Sequence, residues 1–290
     1  INLVDNCSYD EEYKMNLLGI DFEEWFHPEL IKPFVNNEKK ELKITKGIDK
    51  ILDWFNKRDT YATFFVVGEL IEKEPSLLDK IISQGHDIAF HTMKHSKLNE
   101  KNFKNEFKNE LEQFDKLTNG KSKGFRAPTF SLNDDTSWAI DDLIKKKYLY
   151  DSSIVPAKTK MYGHPNAQIS PYKISSYDIT INDENSNLIE FPLLITKFLG
   201  KKIPAGGGFF VRFLPLRSII NRVKTYEKMN IPGTFYIHSW ELVPELMPSL
   251  PLPIIDKFIT YHNLKNALPK MDKLLKKFEF TSFEKYLQKK

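Results

Sequence analysis

The stretch Tyr61-Ala-Thr-Phe-Phe-Val-Val-Gly-Glu-Leu-Ile-Glu-Lys-Glu-Pro-Ser-Leu-Leu-Asp-Lys-Ile-Ile-Ser-Gln-Gly-His-Asp-Ile-Ala-Phe-His-Thr-Met-Lys-His95 decides the fold. Its first residues, 61–67, are aromatic and β-branched and end at a glycine, which predicts a buried strand. Residues 70–83 have helical spacing, with Pro75 as a break and Gly85 as a stop signal. A second short strand follows over 86–91. This strand–helix–strand order predicts a unit of a parallel sheet.

The same alternation extends in both directions along the chain. Short apolar runs predict strands over 17–20, 124–128, 148–154 and 233–237, and amphipathic spacing predicts helices over 42–58, 96–118, 138–147, 214–229 and 264–278. The region 156–208 is rich in Pro and Gly and predicts irregular structure with one hairpin. Because chemically active residue types follow several strands, we expect an α/β fold in the form of a (β/α) barrel.

Length and composition limit the class of protein. The chain has 290 residues, 41% of them hydrophobic, and its 43 Lys and Arg against 39 Asp and Glu give a net charge of +4. These values are those of a globular protein, and the scattered lysines do not predict binding to nucleic acid. We expect a polar N-terminal arm over 1–16 and a single domain over 17–290. No apolar run reaches the roughly 18–20 residues of a membrane-spanning helix.

Cysteine usage limits the type of metal site. Cys7 is the single cysteine among seven histidines, so a Cys-based zinc site and an intrachain disulfide are excluded. A metal site in this chain has to use histidines and carboxylates. The absence of disulfides leaves the cellular compartment of the protein open. We favour the cytoplasm, and export is the alternative if a signal peptide was removed before Ile1.

His91 and His95 are the strongest candidates for metal ligands. Four residues apart, they would lie on one face of a helical turn, although two unrelated histidines would give the same spacing. A hydrolytic site also needs a carboxylate, and Asp21-Phe-Glu-Glu24 follows a predicted strand. Strand alternation puts Asp21 and Glu23 on one face, where one could bind the metal and the other could act as a base. A surface acidic cluster is the alternative.

Two further segments place reactive groups at strand ends. Arg126, in Gly124-Phe-Arg-Ala-Pro128, could hold a carboxylate in its ionised form, or could form a surface ion pair. His238 ends the aromatic strand Thr234-Phe-Tyr-Ile-His and is a candidate proton donor, or a buried core histidine.

Taken in order, these segments resemble the polysaccharide deacetylase family (NodB-homology domain, carbohydrate esterase family 4). The motifs that carry the resemblance are the Ala-Thr-Phe-Phe strand at 62–65, Gly85-His followed by His91-x-x-x-His95, Arg126-x-Pro128, and Ile237-His238. The chain is most similar to the exopolysaccharide-associated branch, whose Asp-x-Glu-Asp-Trp-Phe, Tyr-Asp-Ser-Ser, Ile-Pro-Ala-Gly-Gly-Gly and His-Pro-Trp-Glu motifs correspond to 21–26, 150–153, 203–208 and 238–241. The resemblance runs from about residue 17 to the C-terminus.

The resemblance implies a distorted (β/α) barrel of about seven parallel strands that removes N-acetyl groups from a sugar of a bacterial polysaccharide or its precursor, with release of acetate. It implies a divalent metal, zinc before others, on Glu23, His91 and His95. Asp21 would act as general base, Arg126 would hold Asp21, and His238 would protonate the leaving amine. The partner is therefore an N-acetylated glycan, with a homo-oligomer left open.

Substrate contacts are expected near these motifs. Trp25, Pro128, Phe130 and Trp240 are the residues we expect to bind the sugar, with core packing as the alternative.

The chain departs from the branch pattern at two positions. Glu24 stands in place of Asp, which leaves open whether Glu23 or Glu24 binds the metal; strand alternation favours Glu23. Ser239 stands in place of Pro, which we expect to loosen the turn after His238.

Two other functions remain compatible with the sequence. One is an amide or ureide hydrolase on a small nitrogenous compound, and the other is a carbohydrate-binding relative without catalytic activity. Metal content and an acetate-release assay would separate these from a deacetylase.

Overall fold

A computed structural model describes residues 14–36 and 40–289. Cys7 and all but the last residues of the expected arm lie outside the described residues. The first strand begins at Met15, within the last two residues of the expected arm.

The strands are β1 Met15–Phe22, β2 Thr63–Val66, β3 Asp87–Phe90, β4 Gly124–Phe125, β5 Tyr150–Asp151, β6 Tyr172–Lys173, β7 Ile189–Glu190, β8 Ile195–Phe198, β9 Lys201–Pro204, β10 Thr234–His238 and β11 Glu279–Thr281. The α-helices are α1 Ile48–Asn56, α2 Gly68–Lys73, α3 Ser76–Ser83, α4 Phe103–Leu117, α5 Trp138–Lys145, α6 Gly208–Phe213, α7 Leu216–Lys228, α8 Ser239–Leu242, α9 Ile254–Tyr261, α10 Ala267–Leu275 and α11 Phe283–Gln288.

The main sheet has the order β10-β1-β2-β3-β4-β5-β7-β6, with β11 added beside the start of β1. The strands from β10 to β7 are parallel, and only β6 runs antiparallel to its neighbour. This arrangement confirms the predicted α/β class and the estimate of about seven parallel strands.

The two ends of the curved sheet meet without a regular strand pair. Leu193, just beyond β7, forms a single bridge with Thr234 of β10, and Gly207 forms another with Tyr236. The backbone N–H of Leu194 donates to the carbonyl of Thr234 at 3.0 Å. The barrel is therefore distorted on this side, where irregular chain replaces a strand.

Apolar periodicity explains the elements that the sequence predicted best. Strand β1 is buried along its whole length, as expected for a strand covered on both faces. Helix α4 buries Phe103, Phe107, Leu111 and Phe114 at spacings of three and four. The predicted break at Pro75 is confirmed, because α2 ends at Lys73 and α3 begins at Ser76.

The topology brings the reactive side chains to one edge. Asp21 lies opposite His238 in the register of β1 and β10. His91 directly follows β3 and Arg126 directly follows β4. Since these parallel strands all end at the same edge, the candidate residues converge there. Within the described residues, no helix has the length and apolar character needed to cross a bilayer.

Candidate functional site

Glu23, His91 and His95 form the donor triad of the site. One ligand atom from each lies within 4.8 Å of the others, and all three side chains are buried. Oε2 of Glu23 is 2.8 Å from Nε2 of His95, and the two histidine rings are 5.0 Å apart. No other group of three such donors meets this criterion in the described part of the chain.

The donor triad has buried polar atoms without a hydrogen-bond partner, which favours the binding of a cation. Oε2 of Glu23 has no hydrogen-bond partner, so its contact with His95 lacks hydrogen-bond geometry. His91 makes its hydrogen bond through Nδ1, which donates to the carbonyl of Arg126 at 2.7 Å and leaves Nε2 for the site. A buried carboxylate oxygen without a partner is costly, and a cation would supply one. The residues present therefore fit a divalent metal.

Backbone geometry at the two histidines differs from the prediction. His91 and His95 are not on a helical turn, because Thr92 and His95 both have a φ of 57°. The chain after β3 is an irregular loop, and its left-handed residues turn the two rings toward each other. The two rings do lie close together, as expected, but the conformation of the loop and not a helical turn brings them there.

Electrostatics favour the ligand forms of the donor triad. Burial lowers the pKa of His91 to about 4, which keeps the imidazole neutral. Burial works against ionisation of Glu23, but the adjacent His95 outweighs it and holds the pKa of Glu23 below its usual range. Metal ligands have to be deprotonated, so both shifts suit metal binding.

Glu24 has a structural role that the sequence did not reveal. Its carboxylate accepts hydrogen bonds from the backbone N–H groups of Lys43 at 3.0 Å, Ile44 at 3.0 Å and Thr45 at 2.9 Å. Glu24 is fully buried in this contact and is not part of the donor triad. The structure thus places Glu23, and not Glu24, beside the histidines, although Glu23 lies one residue beyond the end of β1.

Ser239 holds Glu23 in place. Its hydroxyl accepts from the backbone N–H of Glu23 at 3.1 Å and donates to the carbonyl of the same residue at 2.6 Å. Nε1 of Trp240 donates to Oε1 of Glu23 at 3.0 Å. The expectation that Ser239 loosens this turn is therefore wrong, since a proline could make neither hydroxyl contact.

Asp21 and Arg126 form a buried ion pair on one side of the donor triad. Nη1 of Arg126 donates to Oδ1 of Asp21 at 2.6 Å. The remaining guanidinium groups donate to the carbonyl and the hydroxyl of Ser152, both at 2.9 Å. Gly19 provides the space, because a Cβ there would lie 2.7 Å from Nη1. Asp21 is thus oriented by an arginine that is itself held at three points.

His238 lies on the other side of the donor triad and contacts Glu241, which in turn pairs with Arg212. Its Nδ1 lies 2.8 Å from Oε2 of Glu241, and Oε1 of Glu241 accepts from Nε of Arg212 at 2.5 Å. Its Nε2 lies 3.9 Å from Oε1 of Glu23. Burial disfavours the charged ring, but Glu241 outweighs this and raises the pKa of His238 to about 9. The ring can therefore carry a proton beside the donor triad.

Four residues of this site were not expected from the sequence: Glu241, Arg212, Ser152 and His27. Glu241 and Ser152 nevertheless belong to the motifs at 238–241 and 150–153. His27 accepts from the N–H of Glu24 at 3.0 Å, contacts Glu69 at 2.7 Å, and stacks parallel to the ring of His95. The spacing of three between His238 and Glu241 at a helix start, typical of a capping box, was the available signal.

A cavity opens over these groups, and aromatic side chains form part of its wall. Asp21, the donor triad and His238 line its polar part. Its aromatic walls are formed by Phe130, Tyr162, Phe209, Tyr236 and Trp240. Among the four predicted sugar-binding residues, Phe130 and Trp240 therefore line the cavity.

The other two predicted sugar-binding residues lie elsewhere. Trp25 is packed edge-on against Phe26, and its Nε1 donates to the carbonyl of Glu41 at 3.0 Å. Pro128 is buried at the start of a short 3-10 turn. Neither lines the cavity, so the position of Trp25 and Pro128 does not support their expected contact with a sugar.

Comparison with known families divides the chain into two segments. Residues 41–146 match the family model "Polysaccharide deacetylase", and residues 152–288 match "Domain of unknown function (DUF3473)". The first segment contains His91, His95 and Arg126, and the second contains His238 and Glu241. The cavity is thus assembled from both segments and from β1, which precedes them.

Curated relatives resemble part of the chain. A peptidoglycan-N-acetylglucosamine deacetylase of Bacillus cereus is 33% identical over 96 residues, which is 32% of this chain and 35% of that protein. A chitooligosaccharide deacetylase of a Bradyrhizobium species is 38% identical over 48 residues, which is 17% of this chain and 22% of that protein. The alignments span about a third of these relatives or less.

A solved structure supports the fold over the whole chain. A Mycobacterium smegmatis protein assigned to the polysaccharide deacetylases superimposes with a TM-score of 0.56 and 12% identity, covering 99% of this chain and 92% of that one. At this identity the likeness concerns the fold.

Proposed function

We propose, from the premise that the chain carries a polysaccharide deacetylase domain, that it is a metal-dependent hydrolase of the N-acetyl groups of a glycan. The substrate is an N-acetylated sugar of a bacterial polysaccharide or its precursor, and the products are acetate and the free amino sugar. One observation carries the proposal. The donor triad lines a single cavity together with Asp21 and His238, and Asp21 is paired with the buried Arg126.

Glu23, His91 and His95 would hold the metal, and zinc suits two imidazoles and one carboxylate. When bound, the cation polarises the acetyl carbonyl and lowers the pKa of a water molecule. The donor triad supplies three ligands, as in catalytic zinc sites that keep a position open.

Asp21 is the general base of the proposed reaction. Its carboxylate lines the cavity beside the donor triad, and Nη1 of Arg126 donates to its Oδ1 at 2.6 Å. Asp21 takes the proton of the attacking water, and the three contacts of the guanidinium fix the direction of that transfer.

His238 is the general acid. Oε2 of Glu241 accepts a hydrogen bond from Nδ1–H and so fixes the tautomer and orientation of the ring, while Arg212 keeps Glu241 ionised. Nε2 is then the nitrogen on the side of the donor triad, where it donates a proton to the amine as the C–N bond breaks.

Two substitutions test the assignment. Asp21→Asn should abolish acetate release from N-acetylhexosamine oligomers and retain the metal, whereas His91→Ala should lose both. Acetate release at the wild-type rate by Asp21→Asn would contradict the general-base role. Release of ammonia from a small amide or ureide in place of acetate would favour a different hydrolase, and glycan binding without turnover by the zinc-loaded protein would favour a binding role.

A further inference from the structure

The β8–β9 hairpin ends in an exposed tip that has no evident role in the cavity. We define the hairpin tip as residues 197–202, Lys-Phe-Leu-Gly-Lys-Lys. The strands pair Phe198 with Lys201 and Lys197 with Lys202, which leaves Leu199 and Gly200 as a two-residue turn. Leu199 is 88% accessible, the most of any leucine that the structure describes, and the adjacent Phe198 is 51% accessible.

Leu199 is unfavourable at its position for two independent reasons. Its φ is 47° and that of Gly200 is 77°, so both central residues of the turn have positive φ. Such turns prefer Asn, Asp or Gly at the first central position, because a branched side chain is strained there. A nearly fully exposed leucine also gains nothing from the hydrophobic effect. Asparagine would relieve both penalties.

The lysines of the hairpin tip add a third unfavourable feature. Lys197 and Lys202 lie directly opposite each other across the ladder, where like charges repel. Lys202 donates to the carbonyl of Pro165, while Lys197 and Lys201 form no ion pair with any residue that the structure describes. The tip therefore combines exposed apolar side chains with uncompensated positive charge.

The sequence around the hairpin lacks acidic residues. No Asp or Glu occurs between Glu190 and Glu227 in a chain that has 39 of them. Apart from Arg212, which is buried and paired with Glu241, the same segment contains the basic residues Lys197, Lys201, Lys202, Arg217, Arg222 and Lys224. Such a segment suits a partner that is anionic at its surface and apolar just beneath it.

An anionic lipid surface has both properties. Leucine and phenylalanine side chains insert at the boundary of headgroups and acyl chains, and lysines bind the lipid phosphates around them. We propose that the hairpin tip docks the protein on an anionic membrane surface, with Phe198 and Leu199 inserted and Lys197, Lys201 and Lys202 at the headgroups. This inference is independent of the proposed deacetylase activity.

Sedimentation with lipid vesicles tests the proposal. Wild-type protein should bind vesicles of phosphatidylcholine with 30% phosphatidylglycerol and should bind pure phosphatidylcholine vesicles far more weakly. Leu199→Asn should lose about tenfold or more in partitioning, while its melting temperature stays equal or rises because asparagine suits the turn. Replacement of Lys197 and Lys201 by glutamine should lose about fivefold for each lysine.

Matched controls make the result specific. Ile254, which is also 88% exposed but lies on α9, should tolerate Ile254→Asn without loss of binding. Replacing the exposed Lys108 and Lys116 of α4 by glutamine removes the same charge and should have little effect. Equal losses in the hairpin variants and these controls, or no binding by the wild type, would overturn the proposal. So would binding to an acidic polysaccharide, or self-association through the tip, in place of vesicle binding.

Discussion

Oδ1 of Asp21 lies 2.6 Å from Nη1 of Arg126, so two residues 105 positions apart form a buried ion pair at the edge of the barrel. Asp21 is the penultimate residue of β1, which precedes both matched family segments, and Arg126 follows β4 inside the segment that matches the polysaccharide deacetylase model. Ser152, at the start of the second segment, holds the guanidinium at two further points. The pair therefore links all three parts of the chain.

Replacing Arg126 by lysine should disable the base while leaving the metal bound. A lysine keeps the charge but cannot contact Asp21 and both acceptors of Ser152 at once. We expect kcat to fall about 100-fold, as misplacement of a catalytic group by about 1 Å does, with the metal content unchanged. Steady-state kinetics and elemental analysis measure the two quantities. Ser152→Ala, which removes only the hydroxyl acceptor, should lose much less, and an equal loss would argue against orientation of Asp21 by Arg126.

Substitutions of the two adjacent glutamates should have different effects on metal binding. Glu23→Gln should lose the metal because it replaces a carboxylate ligand of the donor triad. Glu24→Gln should keep the metal but lower the free energy of unfolding by about 2 kcal/mol, since a carboxylate that accepts three backbone N–H groups is lost. Zinc titration and urea unfolding measure these outcomes. Metal loss in Glu24→Gln with retention in Glu23→Gln would reverse the assignment.

Trp240 should affect the metal through Glu23. Trp240→Phe keeps an aromatic wall but removes the Nε1 donor to Oε1 of Glu23. Loss of such an outer contact typically costs about 10–100-fold in metal affinity, which competition with a chelating dye can measure. Trp25→Phe is the matched control, because the Nε1 of Trp25 donates to a backbone carbonyl outside the cavity. Equal affinities for the two variants would show that the Trp240 contact is not needed.

His86 should make the protein less stable in mild acid. Burial lowers the pKa of His86 to about 4 from an ordinary value of 6.5, and its Nδ1 accepts from the N–H of Ala62. Below pH 6.5 the unfolded chain therefore takes up a proton that the folded protein does not accept until about pH 4, so stability falls as the pH falls through this window. The loss reaches about 3 kcal/mol at most.

His86→Asn removes this proton uptake, since Asn can also accept from Ala62 but does not titrate. Urea unfolding from pH 7 to pH 4 measures the free energy of unfolding of both proteins. As the pH falls, the wild type should lose stability relative to His86→Asn. A difference that is independent of pH would contradict a buried neutral imidazole.

The sequence predicted the sheet well because its strands are buried on both faces and its helices are amphipathic. It predicted the meeting of His91 and His95 but assumed a helix, because positive φ at Thr92 and His95 is set by loop contacts that spacing does not encode. It favoured Glu23 over Glu24 by strand alternation, but alternation is not the physical reason, because β1 ends at Phe22, directly before Glu23. The role of Ser239 was misjudged because its partner, Glu23, is distant in sequence.

Trp25 shows why sequence distance from a motif is a weak guide to contact with a substrate. It lies within the motif that contains Asp21 and Glu23, yet its side chain packs away from the cavity. Arg212 shows the reverse case. It lies outside every quoted motif but contacts Glu241, 29 residues further along the chain, and through it supports His238.

The most direct test of metal-dependent deacetylation is a zinc titration of chelator-treated protein with acetate release from N-acetylhexosamine oligomers as the readout. We predict a rate near zero without zinc that rises to a plateau at one equivalent per chain, as the single donor triad among the described residues requires. Acetate release at the full rate in the presence of chelator, or none at any zinc concentration, would contradict this account.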